Sequence, residues 1–288
     1  MKPFALALIV AAVITTKTAQ SASFTAEVSG SGRPVILIPG LGCSAEVWRE
    51  TAAHLNKEGY QTHSLTLAGF GGTKALTGDH FLASVRTDLV SYIQENKLDH
   101  PVIIGHSLGG FLAIWLAETN PDLPAKIISV DGLPFLTAIM NPAITPEGVQ
   151  NVAAATRKQF TAASDDQFKQ IQRQSVESMV TSRENIDREM KVAAMADRGA
   201  VTEAMLEMTV TDLRPQLSSI KAPVLVLGSW IAYKDYGATH DSSMQVYAAQ
   251  FPNFPAVKLV MNDTAKHFIQ LDTPDWFYNQ VDQFLQAK

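Results

Sequence analysis

Five short runs in this chain are apolar and rich in β-branched residues over nearly their whole length: Pro34–Ile38, Pro101–Gly105, Lys126–Val130, Pro223–Gly228 and Ala256–Met261. A strand with one face in water alternates polar and apolar residues, whereas a strand covered on both faces does not. The runs therefore predict strands buried in a parallel sheet, with Tyr60–Leu65 as a weaker, alternating sixth. Helix patterns fall between them. The segment from Ser44 or Ala45 to Lys57 carries Val47, Trp48 and Leu55, and Asp79–Glu95 carries Phe81, Leu82, Val85, Leu89 and Ile93 at helical spacing. Leu108–Glu118 sets Leu112, Trp115 and Leu116 on one stripe. A last helix opens at Thr273-Pro274, a cap residue followed by proline at the first helical position. Strand and helix in this alternation predict an α/β fold, a mostly parallel open sheet with helices on both faces and right-handed crossovers.

The alternation stops between Phe135 and Pro215. That stretch offers helix starts instead: Thr145-Pro146-Glu147, the capping box Ser164-x-x-Gln167, and Ser182-x-x-Asn185 before a charged amphipathic run. It reads as a helical cap over residues 135–215, inserted between two parts of one core, 23–134 and 216–288. Met140, Met179, Met190, Met195, Met205 and Met208 fall here. Packing of a small helical subdomain accounts for them, and lining of an adaptable pocket is compatible with that.

Residues 1–22 read as a leader: Lys2, an apolar run from Phe4 to Ile14, then small residues with cleavage expected between Ala19 and Ser23. The apolar run is shorter than the ~20 residues a membrane span needs. The protein is therefore expected to be exported, periplasmic or secreted, with no stable membrane insertion. A net charge of −5 and the absence of a Lys/Arg-rich run give no footprint for nucleic acid. Cys43 is the single cysteine, so no internal disulfide can form, and no Cys/His cluster has metal-ligand spacing.

The run Val102–Gly105 ends in Gly105-His106-Ser107-Leu108-Gly109, a G-x-S-x-G between a buried strand and a helix. A serine on such a turn is held in a strained conformation with its hydroxyl clear of the sheet edge, and small neighbours give it room. The helix that begins at Leu108 aims free N–H groups at the same place. Ser107 is thus a candidate nucleophile.

The chain resembles the α/β-hydrolase superfamily over essentially its whole length after the leader. Pro39-Gly40-Leu41-Gly42, after the strand Val35–Ile38, sits where that family has a His-Gly-x oxyanion loop, with Trp48 at the usual distance. Gly69-Phe70-Gly71-Gly72-Thr73 is similar to its G-x-G-x-S loop, and Lys266-His267-Phe268 to its Gly-His-Phe. Pro39 replaces the loop histidine of the family. The resemblance implies backbone N–H groups of Leu41 and Leu108 as the oxyanion hole and His267 as the base. It implies no metal or organic cofactor. His106 is expected to pack beneath the turn and Cys43 near the oxyanion loop.

The acid is open. The family usually places it three or four residues past the glycine that ends Pro223–Gly228, where this chain has Ile231-Ala232. Asp235 lies further along that loop. Asp131, at the end of Lys126–Val130, matches the acid position of a branch resembling haloalkane dehalogenases and coelenterazine luciferases. Asp263 and Asp272, on either side of His267, read as loop or capping residues. The resemblance implies a serine hydrolase acting on a small, apolar carboxylic ester or lactone. A C–C hydrolase of β-diketones, a cofactor-free haloperoxidase, or a non-catalytic ligand-binding protein on the same scaffold are the alternatives.

Overall fold

The computed structural model describes residues 17–287 except 77, 79, 140, 253 and 255. The first sixteen residues of the expected leader, Asp79 and Met140 lie outside the described residues. The described residues build one sheet from β1 (Lys17–Gln20), β2 (Phe24–Gly30), β3 (Arg33–Ile38), β4 (Tyr60–Leu67), β5 (Val102–His106), β6 (Lys126–Val130), β7 (Val224–Ser229) and β8 (Val257–Asn262). The order across it is β1-β2-β4-β3-β5-β6-β7-β8. The β1–β2 and β2–β4 pairs are antiparallel, and every other pair is parallel.

The buried runs feed two cores by strict alternation. Ile36, Ile38, Ile103, Ile127, Val224 and Val226 join one, and Val35, Leu37, Val102, Ile104, Ile128, Leu225 and Leu227 join the other. Successive side chains on a strand point to opposite faces, so a strand covered on both sides must be apolar throughout. On the first face pack α2 (Phe81–Glu95) and α3 (Leu108–Thr119), through Leu82, Val85, Leu89, Phe111 and Leu112. On the second pack α1 (Arg49–Lys57), through Leu55, and the C-terminal helix Pro274–Gln286, through Phe277 and Val281.

Between β6 and β7 the chain runs through α4 (Pro146–Ala162), α5 (Asp165–Met179), α6 (Arg183–Ala193) and α7 (Arg198–Val210), with no strand among the described residues. Their starts follow the sequence signals. Thr145 Oγ1 accepts from Gly148 N, Ser164 and Gln167 form the reciprocal box, and Ser182 Oγ accepts from Asn185 N. Beyond β7 come α8 (His240–Ala249), α9 (Ile269–Asp272) and α10, the C-terminal helix already described. Thr273 does precede α10, but its hydroxyl donates to Ile269 O at 3.2 Å instead of capping.

The antiparallel strands β1 and β2 and the helix α8 carry no clear sequence signal. Phe24–Gly30 mixes Thr25, Glu27 and Ser29 into a short run, which suits a strand with one exposed side. Lys17–Gln20 lies within the segment expected to be removed, so cleavage there would leave β2 as the sheet edge. No helix among the described residues is long and apolar enough to cross a membrane.

Candidate active site

Ser107 stands between β5 and α3 with φ 53° and ψ −115°. Non-glycine residues rarely adopt this conformation, which costs on the order of 1–3 kcal/mol and persists only where the surroundings enforce it. Here they do. The Ser107 N–H donates to Val130 O at 2.8 Å, and Phe111 N donates to Ser107 O at 3.1 Å. A Cβ on Gly105 would collide with the carbonyl of Gly109, and one on Gly109 with the carbonyl of Ile38. The two glycines of the motif are therefore required by close backbone approach between α3, β5 and β3.

His267 sits on the loop after β8. Asn262 shapes this loop by accepting from Thr264 N at 2.8 Å and Ala265 N at 2.6 Å. The loop is fastened to the helical insertion: Phe268 N donates to Met179 O, and Lys266 Nζ to the carbonyls of Glu177 and Val180. Asp272 accepts from Lys266 N at 2.9 Å and from both the N–H and hydroxyl of Thr181. Asp263 accepts from Trp230 Nε1. Both flanking aspartates hold loops.

The structure brings Asp131, not Asp235, to His267. His267 Nδ1 is 2.6 Å from Asp131 Oδ2. A carboxylate only accepts, so Nδ1 carries the proton and Nε2 is left as the basic nitrogen. Asp131 itself is strained, with φ 54°, and its N–H donates to Leu227 O at 2.7 Å. Its carboxylate also accepts from Ser229 N at 2.7 Å, Ser229 Oγ at 2.9 Å and Tyr247 Oη at 2.5 Å. The side chain is 4% exposed. Asp235 lies exposed on a short 3-10 helix, Ile231–Tyr236, with no hydrogen bond to His267.

Sequence reasoning missed Ser229 and Tyr247. Ser229 ends β7, close to where the usual acid would follow, and there it serves an acid carried by the neighbouring strand. Nothing in the local sequence marks Tyr247, because α8 reaches Asp131 only through the tertiary fold. Burial and the Asp131 charge push the Tyr247 phenol well above its usual range, so it remains a donor.

His106 packs beneath the turn as expected, and it also fixes the base loop. Its Nε2 donates to His267 O at 3.2 Å, and its ring lies 4.4 Å from Phe268 and 6.5 Å, edge-on, from Trp48. Burial, with His267 alongside, holds it well below the ordinary histidine range and therefore neutral. Cys43 is buried, and its thiol approaches Leu41 O at 3.7 Å. Burial, with Glu189 nearby, keeps it a thiol well above the usual range, which disqualifies it as a nucleophile.

Ser107, His267, Asp131, Leu41 and Leu108 all line one cavity of about 510 Å³, a size suited to a small organic ligand. Leu108 opens α3, so its N–H has no acceptor within the helix. Met179, Met205 and Met208 line the cavity, while Met195 is exposed and Met190 packs in the second core. The methionines thus divide between lining and packing.

The model of the alpha/beta hydrolase fold family matches residues 33–274. A pimeloyl-[acyl-carrier protein] methyl ester esterase of Aliivibrio salmonicida is 24% identical over 270 residues, 91% of this chain and 95% of that protein. Among solved structures, a hydrolase from Pseudomonas aeruginosa superposes with a TM-score of 0.76 at 18% identity, covering 94% of this chain and 98% of the other. The enol-lactonase of Burkholderia xenovorans superposes with a TM-score of 0.71, also at 18% identity, covering 94% and 100%. At these identities the structural matches establish the fold. With a family match spanning most of its length, the chain belongs to the α/β hydrolase fold family.

Proposed function

We propose that the protein is a serine hydrolase that cleaves small carboxylic esters or lactones, with Ser107 as nucleophile, His267 as base and Asp131 as acid. The observation that carries this reading is the His267–Asp131 hydrogen bond of 2.6 Å on the wall of the cavity that Ser107 also lines. The esterase and lactonase names of similar proteins support the ester-type chemistry.

His267 Nε2 takes the Ser107 proton as the hydroxyl oxygen attacks the carbonyl carbon. The N–H groups of Leu41 and Leu108 face the developing oxyanion, and each such donor contributes about 3–4 kcal/mol to the transition state. Asp131 holds the imidazole in one tautomer and stabilises its cation. The alkoxide leaves with the proton from His267. Water, deprotonated by the same nitrogen, then attacks the acyl carbon and frees Ser107.

Export with cleavage between Ala19 and Ser23 belongs to the same reading and is checked by N-terminal sequencing of protein from the periplasm or medium. The activity is tested with a panel of methyl and longer esters, lactones and β-diketones, assayed with wild type and Ser107→Ala. Ester or lactone turnover that disappears in Ser107→Ala is expected. Turnover confined to β-diketones, or equal turnover in the variant, contradicts the assignment.

A further inference from the structure

Glu189, on α6, is a buried acid that the proposed mechanism does not use. It is 2% exposed, and it lines the cavity from the side of the helical insertion. Neither of its carboxyl oxygens has a hydrogen-bond partner among the described residues. The nearest cation, Arg188 Nε, stands 3.6 Å from Oε1, outside hydrogen-bonding geometry, and Arg188 spends its Nη1 on Glu50 at 3.0 Å. Cys43 stands beside it, its thiol 3.7 Å from Leu41 O and also within the influence of the Glu189 carboxyl.

Buried polar groups are almost always hydrogen-bonded, because leaving one unpaired forfeits its hydration with no return. An apolar residue would close this wall more cheaply. Resting on the serine-esterase reading, we infer that Glu189 is a specificity subsite that hydrogen-bonds a hydroxyl carried by the substrate, so that the preferred esters are hydroxylated ones.

The surroundings select a hydroxyl over a cation. Arg188 already supplies a positive charge, and a second cation would be sealed against it. Burial, reinforced by Glu46 and Glu50 and opposed by Arg188, pushes the Glu189 carboxyl up to about 7. Both of its protonation states are then populated near neutral pH, with the Cys43 thiol neutral beside it. A hydroxyl donates to the carboxylate and accepts from the carboxyl, so it fits both states, whereas an ammonium group fits one.

The test compares ethyl butyrate with ethyl hydroxybutyrates whose hydroxyl moves one carbon at a time, and butyl butyrate with the matching hydroxybutyl esters. Wild type is expected to favour at least one hydroxyl position by about tenfold or more in kcat/KM. That ratio should fall toward one in Glu189→Leu. Glu189→Met, closer in shape to glutamate, gives the same reading should the leucine variant not fold. Glu118→Gln, a buried acid outside this cavity, should keep the wild-type ratio. Equal rates on hydroxylated and plain esters at every position, or a preference that survives in the Leu and Met variants, overturn the subsite while the esterase reading stands. Failure to cleave any ester overturns both.

Discussion

The turn that presents Ser107 and the helical insertion that faces it across the cavity are held in different ways. At the turn, backbone packs on backbone: Gly105 and Gly109 have no room for a Cβ, and β5 is buried along its length. In the insertion, α4, α5 and α6 each bury only one to three residues, such as Val149, Phe168 and Ile186. Arg157–Glu203 at 2.8 Å, Arg183–Asp187 at 3.1 Å and Arg198–Asp165 at 2.6 Å lie on its outer surface, where each pair contributes about 0–1 kcal/mol. The chemistry thus rests on backbone that tolerates no change, and the facing wall on side chains that can be exchanged. Specificity can vary on the second without disturbing the first.

The sharpest way to break this contrast is through the acid. Asp131→Asn should lower kcat by about 10⁴-fold, as expected when a histidine loses the carboxylate that orients it. Asp235→Asn, on the exposed turn, should stay within about twofold. Steady-state kinetics on one ester compares them. Near-normal turnover in Asp131→Asn would dissolve the proposed triad.

Backbone crowding makes the next largest prediction. Gly109→Ala should cost about 3 kcal/mol or more of stability or prevent folding, because the new methyl meets the Ile38 carbonyl. Val152→Ala, on the outer side of α4, should change stability by no more than about 0.5 kcal/mol. Urea unfolding measures both. Similar costs at the two sites would erase the contrast.

Smaller effects probe the support of the acid and the buried ionisable groups. Tyr247→Phe removes one of the hydrogen bonds on Asp131 and should lower kcat about tenfold without unfolding the protein, checked by kinetics and circular dichroism. Glu189, raised from 4.5 to about 7, favours its neutral form in the folded state. Its contribution to stability is therefore complete below 4.5 and is lost as pH rises toward 7. His63, lowered from 6.5 to about 4 by burial, acts oppositely, and its contribution is present above 6.5 and lost as pH falls toward 4. Glu189→Gln should thus gain on the order of 1–2 kcal/mol relative to wild type between pH 5 and pH 8, measured by thermal unfolding across that range.

The same contrast explains what the sequence makes legible. β6 falls on Lys126–Val130 as read, and the other parallel strands lie within two residues of their apolar runs, because burial on both faces writes itself as continuous apolarity. Ser107 and His267 could be named because a strained turn and a post-strand loop leave short local motifs. The antiparallel strands β1 and β2, partly exposed, write no such pattern. The choice between Asp131 and Asp235 depends on which loop folds back toward His267, and the partners that decide it, Ser229 and Tyr247, lie on β7 and α8. Glu189 in an otherwise charged helix looks like any solvated glutamate until packing buries it.

The proposed function turns on Ser107 being a nucleophile activated by His267 and Asp131. Treating the purified protein with a fluorophosphonate and locating the adduct by peptide mass spectrometry tests it most directly. One stoichiometric adduct on Ser107 is expected, absent in Ser107→Ala and formed far more slowly in Asp131→Asn. No adduct on Ser107, or labelling at an unchanged rate in Asp131→Asn, would contradict it.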